Sequence, residues 1–138
     1  MRHIQGIFID VKNQTITETT ILTGLIPIYK LLNCRVVDII HLSDNSGIYI
    51  DDEGLLIDED MVEGYFTIKG KGQFYAGSGL LVGFDELRFD TSTTLTVEQV
   101  KKLVTFYTPE QVPQANKEPK MIFMTIDEYE IFKKNNNA

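Results

Sequence analysis

Residues 35–54 read RVVDIIHLSDNSGIYIDDEG, and their reading sets the fold class. Arg35 to Leu42 is β-branched and nearly continuous in hydrophobicity, the pattern of a central strand covered on both faces. Ser43-Asp44-Asn45-Ser46-Gly47 is a turn by composition, Ile48-Tyr49-Ile50 resumes the sheet, and Asp52-Glu53-Gly54 reverses the chain again. Short strands joined by tight turns make antiparallel neighbours, so the search moves outward for more of them.

Upstream, Ile4, Ile7, Phe8, Ile9 and Val11 form a strand that Lys12-Asn13-Gln14 breaks. Thr15 to Ile21 then alternates threonine with isoleucine, so the pair reads as an antiparallel hairpin with a polar outer face. Leu25, Ile28, Leu31 and Leu32 recur at helical spacing, with Pro27 in the first turn, and predict a short helix. Downstream, six of the ten glycines fall between Gly64 and Gly83, among Tyr65, Phe66, Phe74 and Tyr75. Such density implies bulges, tight turns or close backbone approach.

In the last third, Thr96 and Gln99 form a capping box, and Val97, Val100, Leu103, Val104 and Tyr107 make one helical stripe, predicting a helix over 96–107 that covers one face of the sheet. Pro109 stops it, and 109–120 reads as a Pro-bounded loop. Met121 to Met124 predicts a strand, and the second capping box of Thr125 and Glu128 predicts a helix ending at Lys133-Lys134, giving a terminal strand–helix unit over 121–134. A frayed tail covers 135–138. The order of elements lacks regular βαβ alternation, so the fold class is α+β: a mainly antiparallel sheet with one short helix near the N-terminal third and two in the C-terminal third. Ile7, Ile9, Val37, Ile39, Val100 and Leu103 are the expected core.

The chain has 138 residues, 43% of them hydrophobic, which suits a single domain over 1–138 and is too short for two independent cores. Thirteen basic against twenty acidic side chains give a net charge of -7, which disfavours direct DNA binding and anionic membranes. Cys34 is the single cysteine, excluding a disulfide framework and fitting a reducing cytoplasm. No apolar run reaches the roughly 18 residues of a membrane span, and residues 1–3 lead into a strand and not a signal peptide.

The chemistry-bearing residues argue for binding rather than catalysis. Gly70-Lys71-Gly72 and Gly77-Ser78-Gly79 each lack the third glycine of a dinucleotide fingerprint, and Gly72 stands where a P-loop needs Ser or Thr for magnesium. Ser78 lacks the spacing of a nucleophile elbow. Cys34 and His41 lie on opposite faces of one strand, and nothing brings His3 to either, so Cys34 reads as a small buried hydrophobe. Asp51-Asp52-Glu53 and Asp58-Glu59-Asp60 do not have calcium-loop spacing, so no metal is expected and the acidic turn reads as solvated, with a second use as a patch for a basic partner. The glycine-rich stretch remains: backbone N–H groups there, with Lys69, Lys71 and Arg88, suit an anion, and Tyr65, Phe74 and Tyr75 offer faces for a base.

Three stretches carry a family resemblance: Cys34-Arg35-Val36-Val37-Asp38-Ile39-Ile40 after a short helix, Ile48-Tyr49-Ile50-Asp51-Asp52-Glu53-Gly54, and Ala76-Gly77-Ser78-Gly79-Leu80-Leu81-Val82-Gly83. Over 31–83 the chain resembles the small phage- and plasmid-borne proteins of family 3846 among domains of unknown function. The resemblance implies a mobile-element setting in a bacterial host and transfers no catalytic residue or cofactor. Small proteins of such elements act by occupancy, an argument from analogy. The first expectation is therefore a non-enzymatic protein that antagonises host defence by sequestering a nucleotide signal at Tyr65, Lys69, Lys71, Phe74, Tyr75 and Arg88. A second is a protein–protein inhibitor that presents Asp51, Asp52 and Glu53 to a host enzyme; an enzyme ranks third. Terminal elements beyond a Pro-bounded loop also favour a homo-oligomer.

Overall fold

The structure is a computed structural model that describes residues 2–53 and 61–113. The expected terminal strand–helix over 121–134, the tail, most of the loop over 109–120 and the carboxylates at 58–60 lie outside the described residues.

The N-terminal hairpin forms as its alternation dictates. β1 (His3–Asp10) and β2 (Thr15–Leu22) pair antiparallel in one unbroken register from His3↔Leu22 to Asp10↔Thr15. Asp10 tightens the turn between them: its carboxylate accepts the backbone N–H groups of Lys12 and Asn13. α1 (Leu25–Leu32) follows as expected and ends at Asn33 in the left-handed conformation, φ 52°. Asparagine tolerates that region better than most side chains. β3 (Val37–Ser43) and β4 (Ser46–Asp51) make the next hairpin, with a bulge between His41 and Ser43.

β5 (Tyr65–Ile68), β6 (Phe74–Ala76), β7 (Gly79–Phe84) and β8 (Asp90–Thr91) complete the middle of the chain. The larger sheet has the order β2-β1-β7-β4-β3, with β8 also on β7, and every pairing is antiparallel. This places β3 at an edge. The expectation that it is central is corrected: β7 is central, all six of its residues are buried, and the apolar run of β3 instead serves α1 on one face and the second sheet on the other.

The helix expected over 96–107 is also corrected. Its capping box forms, Thr96 Oγ1 accepting the Gln99 amide and Gln99 Oε1 accepting that of Thr96, but α2 covers only Val97–Lys101. Val104-Thr105-Phe106-Tyr107 is β-branched and aromatic, and it becomes β9 (Val104–Tyr107), which pairs with β5. The strand propensity of those four residues, realised by a partner distant in sequence, outweighs the helical stripe. A second sheet of order β6-β5-β9 results. A 3-10 turn at Pro109–Gln111 follows.

Three layers stack. Ile7, Ile9, Ile48 and Leu81 of the large sheet meet Phe66, Ile68 and Tyr75 of the small sheet, with Val100 of α2. On the opposite face Ile4, Tyr49, Leu80, Val82 and Phe84 meet Ile28 of α1. Ile7, Ile9 and Val100 are buried as expected, whereas Val37, Ile39 and Leu103 are half-buried. Gly79 belongs to the inter-sheet contact: a Cβ there would stand 2.8 Å from Ile48 Cγ2 and 3.3 Å from Phe66 Cζ, which explains the glycine.

Candidate functional site

On the N-terminal side of Ile7, β1 and β7 no longer pair, and the chain after β8 takes the vacated place. Gln5 donates its N–H to Ser92 Oγ and accepts from the N–H of Thr93, both at 2.9 Å. Beside this junction lies a cleft of about 760 Å³, lined by Arg2, Thr23, Gly24, Tyr49, Asp85, Arg88, Phe89 and Asp90. That size falls in the range of small-molecule sites, roughly 300–1,000 Å³.

One wall is the β7–β8 turn, organised by its first residue. Asp85 Oδ1 accepts the N–H groups of Leu87 and Phe89, both at 2.9 Å, and the Asp85 carbonyl accepts from Arg88 N–H at 3.0 Å. An aspartate opening a turn in this way is local chemistry that a sequence dictates. The turn forces Arg88 to φ 70°, a conformation that costs a non-glycine residue roughly 1–2 kcal/mol. A glycine would remove that cost, and an arginine stands there instead.

Arg2 faces this turn from the start of β1. Its amide donates to Thr23 Oγ1 at 3.2 Å, and one guanidinium N–H donates to the Asp90 carbonyl at 3.1 Å. Arg88 gives one guanidinium N–H to the Asp44 carbonyl at 2.6 Å. Neither arginine forms an ion pair with a carboxylate among the described residues. The two carboxylates of the cleft are already served, Asp85 by the turn and Asp90 by Tyr49, whose hydroxyl donates to Asp90 Oδ1 at 2.7 Å. Burial, then that hydrogen bond and the Asp90 charge, hold the Tyr49 phenol well above its ordinary value, so it stays a neutral donor. Phe89 is 66% exposed and offers an aromatic surface at the rim. Cations without anionic partners beside a ring suit a planar anion.

A family model described as "Domain of unknown function (DUF3846)" matches residues 4–108. The chain belongs to the DUF3846 family. The match runs from β1 through β9, well beyond the three stretches that first carried the resemblance, and it takes in every residue of the cleft except Arg2. The DUF3846 protein is also 52% identical over 33 residues to "Uncharacterized protein y4iR" of Sinorhizobium fredii (strain NBRC 101917 / NGR234), a stretch covering 24% of this chain and 20% of that relative. No solved structure matches.

Of the residues expected to hold an anion and a base, only Arg88 lines the cleft of the DUF3846 protein. Lys69 and Lys71 flank Gly70, φ 87°, in the β5–β6 turn, where Lys71 Nζ donates to the His41 carbonyl at 2.7 Å. Lys71 and Arg88 thus reach the β3–β4 hairpin from two different turns. Tyr65 and Tyr75, expected to stack a base, are both buried. Tyr65 is 1% exposed, beneath Val62 and Val112, and Tyr75 is 7% exposed with its ring 5.4 Å from that of Phe66. Phe74 is half-buried, edge-on to Tyr107.

The acidic turn is tied up locally. Arg35 forks onto Glu53 at 2.9 and 3.1 Å, and Asp51 Oδ1 accepts the Glu53 amide at 2.9 Å, leaving Asp52 as its exposed carboxylate. Burial pushes Asp51 above the usual carboxylate range, and the charges of Glu53 and Asp52 add to it. Cys34 is half-buried, its thiol pushed up to about 11 by burial first and by Asp51 next, so it is a poor nucleophile at neutral pH. His41 is exposed. Among the described residues no group of three or more His, Cys, Asp or Glu is placed to hold a metal ion, and no helix is long and apolar enough to cross a membrane.

The cleft was hidden from the sequence because its walls come from residues 2, 23–24, 49 and 85–90, joined by strand order alone. One local signal existed: an Asp-Glu-Leu-Arg-Phe turn that carries an arginine and a phenylalanine on its returning side.

Proposed function

We propose that this DUF3846 protein is a non-enzymatic binding protein of a mobile element, which sequesters a nucleotide signal of its bacterial host in the cleft between Arg2 and Arg88. The observation that carries the reading is Arg88 itself, a cation kept at a strained turn position at the mouth of a cleft whose second arginine also lacks a carboxylate partner. Phosphate oxygens would take the free guanidinium N–H groups, and the base would lie against Phe89. Acting by occupancy in the cytoplasm, the protein would deprive a defence enzyme of its activator.

A specific observation favours a protein partner as the second reading. Leu25, Ile26, Leu87 and Phe89 are 50%, 65%, 76% and 66% exposed and belong to the two elements flanking the cleft. Exposed aromatic and aliphatic side chains around arginines are the makings of an interface hot spot. An inhibitor built this way would bind through that rim and not through Asp51, Asp52 and Glu53.

Calorimetry with inorganic phosphate, mononucleotides, dinucleotides and cyclic nucleotides tests the first reading. Arg2→Ala and Arg88→Ala should each weaken a bound nucleotide about tenfold or more, consistent with roughly 1.5–3 kcal/mol per charge-assisted hydrogen bond. Phe89→Ala should weaken nucleotide more than phosphate, and Lys69→Ala should change neither. Heat from none of these ligands, or affinity untouched by both arginine variants, removes the nucleotide and leaves the protein partner.

A further inference from the structure

The large sheet has two edges, and they are built differently. The β3 edge carries a bulge between His41 and Ser43, the exposed polar side chains of Asp38 and His41, and the Lys71 ammonium seated on a strand carbonyl. Bulges and lysines are the devices by which sheets discourage a further strand. The β2 edge has no bulge and no lysine, and its one charged side chain is Glu18. Thr15-Ile16-Thr17-Glu18-Thr19-Thr20-Ile21-Leu22 is eight residues long, contains no proline, lysine or glycine, and runs without a register shift along β1. Among the described residues β2 pairs with β1 and with no other strand. A regular edge without bulge, proline or lysine invites strand addition.

We propose that the outer edge of β2 docks β2 of a second copy of this chain, antiparallel, joining two six-stranded sheets into one. The strand itself singles out this occupant. In an antiparallel pair opposing residues share a face, and a two-fold axis normal to the sheet preserves faces, so the axis must pass through a residue position of β2. Centred on Glu18, the pairing sets that carboxylate against its own copy, which is destabilising. Centred on Thr19, it sets Glu18 against Thr20 of the partner subunit, Thr17 against Ile21 of the partner subunit, and Ile16 against Leu22 of the partner subunit. The last pair shares the face that packs on the second sheet, and it covers Leu22, which is 37% exposed in the single chain. Glu18 is the single charge on β2, so nearly all of the net charge of -7 lies elsewhere on the molecule.

Sedimentation equilibrium and light scattering on the full chain, from about 1 to 500 µM, test the pairing, with amide exchange of β2 read alongside. A dimer is expected, with β2 amides more protected at high concentration. Thr19→Lys places two ammonium groups opposite one another and should weaken the dimer. Thr20→Lys places an ammonium opposite Glu18 of the partner subunit at two symmetric positions and should preserve or tighten it. The two variants should separate by about tenfold in dissociation constant, since Thr19→Lys adds one like-charge pair across the strands and Thr20→Lys adds two opposite-charge pairs. Both change an edge threonine to lysine, so a native amide spectrum of each shows that the fold is kept. A monomer mass throughout, β2 amides equally protected in the monomer because another segment or a foreign strand covers them, or equal dissociation constants for the two variants overturns the proposal.

Discussion

Asp51 is a carboxyl whose environment favours the proton. Burial lifts its pKa from the ordinary 3.8, and the Glu53 amide that it accepts pulls only partly the other way. The folded chain therefore holds this proton more tightly than the unfolded chain. The contribution to stability is complete below about pH 3.8 and is lost as pH rises through the raised value. Asp51→Asn retains an oxygen for the Glu53 amide and has no charge to bury. Denaturation midpoints of the variant and the parent should agree in acid and diverge in favour of the variant as pH rises to neutrality. A gap between them that does not change with pH would show that Asp51 titrates as it does in the unfolded chain. No sequence pattern reveals this, because the acidic triplet reads as solvated until Arg35 and the end of β4 are seen to enclose part of it.

At the scale of elements, the hairpin of β1 and β2 was legible because alternation and a polar turn are local. The start of α2 was legible for the same reason, since a capping box needs only four residues. Its end was not. Val100, Leu103, Val104 and Tyr107 satisfy a helical stripe, and Val104 with Phe106 satisfies strand alternation equally well, so the choice passes to β5, forty residues upstream in sequence. The outcome has an energetic signature. Leu103 is half-buried at the joint between α2 and β9, so Leu103→Ala should cost less than about 2 kcal/mol, below the usual range for a buried leucine. Val100 is fully buried between the sheets, and Val100→Ala should cost at least as much although it removes fewer atoms. Chemical denaturation of the two variants gives the order directly. A Leu103→Ala loss above that of Val100→Ala would mean that the helical stripe extends into the core after all.

For the whole molecule, what the sequence withheld is strand order, and strand order makes both the core and the cleft. A run such as Leu80-Leu81-Val82 shows that a strand is buried but not which neighbours bury it. Here β7 is flanked by β1 and β4, and its odd-numbered face meets the second sheet through Phe66. Phe66 is fully buried, with the Tyr75 ring on one side and the Cβ-free surface of Gly79 on the other. It is therefore the principal aromatic link between the two sheets, and the small sheet, with three short strands, cannot be expected to stand without that contact. Phe66→Ala should lower stability by about 3–5 kcal/mol, because a close-packed inter-sheet space cannot collapse around the missing ring. Both sheets should still unfold together: tyrosine fluorescence, weighted toward Tyr65, Tyr75 and Tyr107 of the small sheet, and far-ultraviolet circular dichroism, weighted toward the large one, should move to the same lower midpoint. Separate midpoints for the two probes would mean that the small sheet is an independent unit, and a loss of under about 1 kcal/mol would mean that the layers are held by contacts other than Phe66.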